Sequence, residues 1–248
     1  MDPLRVISIA QRAGAAIMNI YKRTFTVDYK PDETPITEAD RAANRIIIAG
    51  LSNQFPSIPI LSEENRLVPY DVRKTWKTFW LIDPLDGTRE FVDKNDEFTI
   101  NIALIRQQTP IFGVVYAPAK DLLYYTADDE AFRLGPESAI TPLPIKQPKH
   151  KSKIVIVSRS HFNPATTAYL RTLQGDFDIR VLGSSLKLCV VAEGTADLYP
   201  RCSPTMEWDI AAAHAIVNKV GMHVYQLHTC NELIYNKRDL HNPWFVVK

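Results

Sequence analysis

Near the start of the chain, Val6, Ile9, Ala10, Ala13, Ile17, Ile20 and Tyr21 recur at three- and four-residue spacing. They make one apolar stripe, which predicts a helix over Pro3–Tyr21. Lys30 to Ile36 holds two prolines and four polar or charged residues and reads as a loop. Thr37 then opens a second helix to about Phe55, with Ile46, Ile47 and Leu51 facing inward and Pro56 and Pro59 closing it. Ile58–Leu61 is a short strand leading into Ser62-Glu63-Glu64, and Phe79–Ile82 is a buried strand that stops at Asp83-Pro84. Phe98, Ile100, Ile102 and Leu104 alternate with Thr99, Asn101 and Ala103, the pattern of a half-buried strand ending at Ile105. Arg106–Pro110 is a turn and Ile111–Tyr116 the return strand. Leu122–Ala127 and Ala131–Leu134 extend an antiparallel meander.

Gly135 to Lys153 is rich in proline, lysine and serine and marks a boundary between lobes. Beyond it Ile154–Val157 is continuously apolar, as in a strand covered on both faces. A helix over about Pro164–Leu173, a strand around Val181, a helix over Leu186–Glu193, a strand over Ala196–Tyr199 and a helix over Asp209–Lys219 follow, with strands at the end. The fold class is therefore α+β in a first lobe, 1–145, and α/β in a smaller second lobe, 146–248.

At 248 residues the chain buries a core without disulfides or structural metal. Its 29 basic and 28 acidic residues nearly cancel, and no basic run offers a track for a nucleic-acid polymer. A small anion, needing only a local cluster of cations, stays open. The three cysteines, Cys189, Cys202 and Cys230, are odd in number and lack a CxxC pair, which fits a reducing compartment. The first residues lack the basic start, apolar run and small-residue cleavage site expected of a signal peptide, and no apolar run approaches ~20 residues. The expected location is the cytoplasm, with peripheral attachment to the cytoplasmic face of an inner membrane left open.

The sharpest motif is Asp83-Pro-Leu-Asp86-Gly87-Thr88, delivered by the buried strand. Pro84 cannot continue a hydrogen-bonded ladder, so the chain turns and presents two carboxylates that can share hard cations. Exposed N–H groups at Gly87 and Thr88 would suit a phosphate. The same string is also a good turn by composition. Glu63-Glu64, taken alone, reads more readily as an exposed acidic loop. Asp209 after Trp208, and Asp40 in Thr37-Glu-Ala-Asp40, read as helix caps, a role compatible with a functional one.

Together, Asp83-Pro-Leu-Asp-Gly-Thr88 with Phe91, Ser62-Glu-Glu64 before it and Trp208-Asp209-Ile-Ala-Ala after it resemble the inositol monophosphatase superfamily over essentially the whole chain. Ser158-Arg-Ser-His161, Gly183-Ser-Ser-Leu-Lys187, Val191-Ala-Glu-Gly194 and Leu198-Tyr-Pro-Arg201 resemble more closely its CysQ-type 3'(2'),5'-bisphosphate nucleotidases. The resemblance implies a layered α-β-α-β-α sugar-phosphatase-like fold. It implies Mg²⁺, two or three ions, on Glu63, Asp83, Asp86, Asp209 and the Leu85 carbonyl, a set of oxygens that suits this cation. It also implies that Asp40 and Thr88 orient and deprotonate an attacking water. Gly87, Thr88 and Asp209 would touch the substrate, with Lys187 and Arg201 for a second anion and Ser158, Arg159, Ser160, His161, Gly183 and Ser184 around the nucleoside. Two departures, Ala213 where the family has glycine and the pair Gly221-Met222, lie behind the ligands and imply altered packing.

The activity so implied is hydrolysis of the 3'-phosphate of 3'-phosphoadenosine 5'-phosphate, or of its 5'-phosphosulfate, in sulfur assimilation and nucleotide recycling. Alternatives are an inositol monophosphatase, a sugar-bisphosphate phosphatase, or a non-catalytic adenine-bisphosphate sensor. The expected partner is a small phosphomonoester, and the chain is expected to be a monomer or homodimer.

Overall fold

The structure, a computed structural model, describes residues 2–29, 35–145 and 152–248. The first helix, α1 (Pro3–Tyr21), has the predicted bounds. Asp2 accepts the Leu4 N–H at 3.0 Å and Pro3 occupies the first turn, where no donor is needed. β1 (Val27–Tyr29) and β2 (Pro35–Thr37) form an antiparallel ribbon, so the expected loop gives way to a strand at Pro35 and Ile36; 30–34 lie outside the described residues. Thr37 caps α2 (Glu38–Gln54) as expected, and Ile47 and Leu51 are buried with Ile46 packed beside them.

A seven-stranded sheet follows in simple order: β3 (Ile60–Ser62), β4 (Thr78–Asp86), β5 (Thr99–Arg106), β6 (Thr109–Ala117), β7 (Leu122–Ala127), β8 (Glu130–Leu134) and β9 (Ile140–Pro142). The β3–β4 pair is parallel, the others antiparallel. Short helices α3 (Tyr70–Arg73) and α4 (Thr88–Val92) sit in the connections flanking β4. β9 lies inside the segment read as a lobe boundary, and the division at 145/146 meets 146–151, outside the described residues.

In the remainder, β10 (Lys153–Ser158) pairs in parallel with β11 (Phe177–Leu182), and α5 (Pro164–Leu170) connects them. Next come α6 (Leu186–Glu193), β12 (Tyr199–Arg201), α7 (Glu207–Lys219), β13 (Val224–Gln226) and β14 (Phe245–Val247), the three strands forming a sheet in the order β12-β14-β13. A parallel bridge, Val155 to Leu198, joins β10 to the residues just before β12. The expected helix to Leu173 stops at Leu170, and the strand expected over Ala196–Tyr199 lies at Tyr199–Arg201.

The layers follow from two apolar cores. On one face of the large sheet, Trp80, Ile82, Ile100, Ile102 and Leu104 pack against α1 and α2. On the other, Phe79, Leu81, Ala103, Ile105 and Val115 pack against α6 and α7, whose far sides meet Ile154, Ile156, Tyr199 and Phe245. Leu170 of α5 covers Val155 and Val157 outside. The order is α-β-α-β-α, as expected. β5 is therefore buried on both faces rather than one, because its polar side chains are hydrogen-bonded inside: Asn101 and Thr99 both bond Ser185. Gly113 lets β6 meet α7; a Cβ there would stand 2.1 Å from the Ala212 carbonyl. Ala213 is fully buried, and Gly221 has φ +77° with open space around it. No helix among the described residues is long and apolar enough to cross a membrane.

Candidate active site

β4 does not stop at Asp83-Pro84. It runs to Asp86 across a bulge: Asp83 opposes Asn101 and Asp86 opposes Thr99, so the β4 side carries one residue more than its partner. Pro84, which has no N–H to give, sits in this break, where no ladder bond is required. The bulge re-aims the strand end. The Asp83 carboxylate accepts the Leu85 N–H at 3.0 Å, and Asp86 accepts the Ser185 N–H. Beside it, the Glu63 N–H donates to the Ile82 carbonyl, extending the parallel pairing one residue beyond β3 and bringing Glu63 next to Asp83.

Asp209 arrives from the other side in the first turn of α7, its carboxylate accepting the Met206 N–H at 2.9 Å. The start of this helix is pinned by fully buried Glu207, which accepts the Asn236 N–H at 2.6 Å and the Lys237 ammonium at 2.6 Å. Carboxylate oxygens of Glu63, Asp83 and Asp209 lie within 4.8 Å of one another. Asp86 lines the same cavity but stands outside this tight group. Burial, then the charges of Glu63, Asp86 and Asp209, pushes the Asp83 carboxyl well above the ordinary range. Burial, then Asp86 and Glu63, does the same to Asp209. Crowded carboxylates of this kind take up either protons or a hard cation, so the donor set fits Mg²⁺.

Asp40 holds both roles left open for it. One oxygen, Oδ2, accepts the Thr37 N–H and hydroxyl, each at 2.7 Å, completing the helix cap. The other, Oδ1, accepts the Thr88 hydroxyl at 3.1 Å. Burial raises the Asp40 pKa against the bonds from Thr37 that lower it. Asp40 lies behind Thr88, which itself faces the cavity.

The cavity holds about 220 Å³ and is lined by Glu63, Asp83, Leu85, Asp86, Gly87, Thr88, Ser158, His161, Ser184, Lys187, Arg201 and Asp209 among the expected residues. Gly87 has φ +88°, a conformation glycine adopts without strain, and turns β4 into α4. The same cavity is lined by two buried cations. Lys187 donates to the Ser184 carbonyl and lies 5.6 Å from the Tyr199 ring centre; burial brings its pKa down to about 8 against the pull of Asp86. Arg201 donates Nη2 to the Pro204 carbonyl at 3.0 Å, while its buried Nε has no partner among the described residues.

Three expected substrate contacts do not line the cavity. Arg159 is occupied by Glu97, Ser160 by Glu90, and Gly183 packs against both glutamates. Conversely, Tyr199, Thr205, Ser185 and Arg89 line it without having been singled out. Ser185 and Tyr199 sit inside motifs already read in the sequence and Arg89 adjoins one, a signal available in sequence; Thr205 carries none. His214 is packed rather than exposed, between the Tyr235 hydroxyl at 2.8 Å and Glu232 at 3.0 Å. All three cysteines are unbridged.

A family model described as the inositol monophosphatase family matches residues 2–244. The 3'(2'),5'-bisphosphate nucleotidase CysQ of Salmonella typhimurium is 45% identical over 246 residues, 98% of each chain. That of Escherichia coli K12 is 44% identical over the same span. The crystal structure of CysQ from Bacteroides thetaiotaomicron superposes with a TM-score of 0.88 at 42% identity, covering 99% of this chain and 96% of that one. A bulged strand end with paired aspartates, a helix-borne third carboxylate and full-length likeness in sequence and shape agree: the chain belongs to the inositol monophosphatase family.

Proposed function

We propose that the protein is a Mg²⁺-dependent 3'(2'),5'-bisphosphate nucleotidase. It would release the 3'-phosphate of 3'-phosphoadenosine 5'-phosphate, or of its 5'-phosphosulfate, in sulfur assimilation and nucleotide recycling. The observation that carries this is one cavity lined by the Glu63–Asp83–Asp209 cluster, by Thr88 with its hydrogen bond to Asp40, and by Lys187 and Arg201. The identity to curated nucleotidases over 98% of the chain supports the substrate class.

Glu63, Asp83, Asp86, Asp209 and the Leu85 carbonyl would hold two or three magnesium ions. When bound, the metal supplies Lewis acidity toward the attacking water and neutralises charge on the phosphoryl and leaving oxygens. The rest is the work of side chains. The Thr88 hydroxyl donates to Asp40 Oδ1, which turns its lone pairs toward the cavity to accept a proton of the attacking water. As the water oxygen bonds to phosphorus and the P–O3' bond breaks, that proton passes to Thr88 and the Thr88 proton to Asp40, while the departing 3'-oxygen takes a proton from solvent water to leave as the 3'-hydroxyl, and Asp40 afterwards returns its proton to solvent. The raised Asp40 pKa makes it a better acceptor than an exposed aspartate. Gly87 and Thr88 N–H groups would hold non-bridging oxygens, and Lys187 and Arg201 the 5'-phosphate. His161 and Ser158, whose Nδ1 and Oγ are 3.4 Å apart, stand at the nucleoside side.

Phosphate release from 3'-phosphoadenosine 5'-phosphate at millimolar Mg²⁺ tests the reading. We expect turnover that EDTA abolishes and that Asp83→Asn lacks. Turnover that survives both would refute it, and no turnover at all would favour a binding protein.

A further inference from the structure

Two carboxylates outside the metal cluster tie down the substrate side of the cavity. Glu97, just before β5 and 8% exposed, receives Arg159 Nε and Nη2 on its two oxygens, each at 2.9 Å, and the Gly183 N–H at 2.7 Å. Glu90, in α4 and 5% exposed, accepts the Ser160 hydroxyl at 2.6 Å. A Cβ on Gly183 would lie 2.9 Å from Glu90 Cγ and 3.0 Å from Glu97 Cβ and carbonyl oxygen, so only bare backbone allows this approach. The connection is anchored in turn: Asn95 Oδ1 accepts the Glu97 N–H at 3.0 Å, and the Tyr21 hydroxyl of α1 donates to Asp96 at 2.8 Å.

What Glu97 and Glu90 hold are the two loops whose neighbouring residues line the cavity. Arg159 and Ser160 lie between Ser158 and His161, which line the cavity, and Gly183 immediately precedes Ser184. A bidentate arginine–carboxylate pair fixes orientation as well as distance, which a single ammonium contact does not.

We propose that Glu97, seconded by Glu90, is a positioning residue. By clasping Arg159 and Gly183 it sets how far the nucleoside contacts Ser158, His161 and Ser184, and through the Ser184 carbonyl the second-anion contact Lys187, stand from the phosphoryl-transfer centre, and so selects substrates that carry such a group. The proposal rests on the bisphosphate reading above. Arg159 serves here as a strut rather than a substrate contact.

The test compares kcat and KM for 3'-phosphoadenosine 5'-phosphate and for p-nitrophenyl phosphate, which has no second anion, at millimolar Mg²⁺. Glu97→Gln should raise KM for the nucleotide roughly tenfold, keep kcat within about twofold, and leave the small ester nearly unaffected. Arg159→Ala should reproduce this, the double variant should be no worse than either single one, and Glu97→Asp should recover part of the loss. Equal losses on both substrates, or none on either, would overturn the proposal. Amide hydrogen exchange decides the clasp without reference to substrate: in Glu97→Gln, exchange at Gly183, Ser184 and Ser185 should accelerate while β10 stays protected. Unchanged exchange would overturn it. A wild type that does not prefer the nucleotide would refute the bisphosphate reading and the selection claimed here, leaving the exchange result to decide the clasp alone.

Discussion

Asp40 shows how one side chain closes a helix end and serves a reaction: its two oxygens face different partners. Thr88→Ala removes only the second of these. It should lower kcat by roughly 10²–10⁴-fold with little change in KM, and Thr88→Ser should restore most of it; steady-state kinetics check this. Lys187 gives a pH prediction. With a pKa near 8, it is charged below that pH and neutral above. KM for the nucleotide should therefore climb above pH 8, approaching about tenfold per unit, while Lys187→Arg flattens the profile. At this scale the sequence was readable where chemistry concentrates in short strings, as at Asp83 to Thr88. It was not readable for Arg159, because the carboxylate that occupies it, Glu97, is 62 residues away.

Elements carry the next level of control. The tight approach of β6 to α7 at Gly113 fixes where Asp209 enters the cluster. Gly113→Ala drives a Cβ into helix backbone and should cost roughly 3 kcal/mol in urea unfolding, with loss of activity. Gly221→Ala, with left-handed φ but open space, should cost only about 1 kcal/mol and keep activity. Helix periodicity located α1 and α2 closely, since one buried stripe is enough to mark each, whereas α6 is buried on nearly every side and shows no such stripe. Strand ends were harder. β4 outruns Pro84 because a bulge, which alternation does not reveal, absorbs the missing donor. β5 looked half-exposed because Thr99 and Asn101 are polar, yet both find partners inside.

The whole molecule places carboxylates from both apolar layers in one cavity, at a cost in repulsion when no cation is present. Asp83, Asp86 and Asp209 have folded pKa values raised above their unfolded ones, each mainly by burial. The folded state then holds more protons than the unfolded state above about pH 4, so metal-free stability is full at low pH and declines as pH rises through the folded values. Thermal unfolding in EDTA should show a higher Tm at pH 5 than at pH 8. At pH 8, Mg²⁺ at about 100 times its Kd should raise Tm by roughly 5–10 °C, a gain that Asp83→Asn loses. The layered architecture was legible only through family resemblance. Hydrophobic patterning places helices and strands but does not say that α6 and α7 lie between two sheets.

The central claim is that this cavity hydrolyses a bisphosphate nucleotide through metal-assisted attack by water. Phosphate release from 3'-phosphoadenosine 5'-phosphate and inositol 1-phosphate, side by side with millimolar Mg²⁺ and with EDTA, tests it most directly. We predict Mg²⁺-dependent turnover strongly favouring the nucleotide, whose second anion the buried cations Lys187 and Arg201 would take up in the same cavity as the carboxylates. Equal or better turnover of the inositol ester would contradict the account.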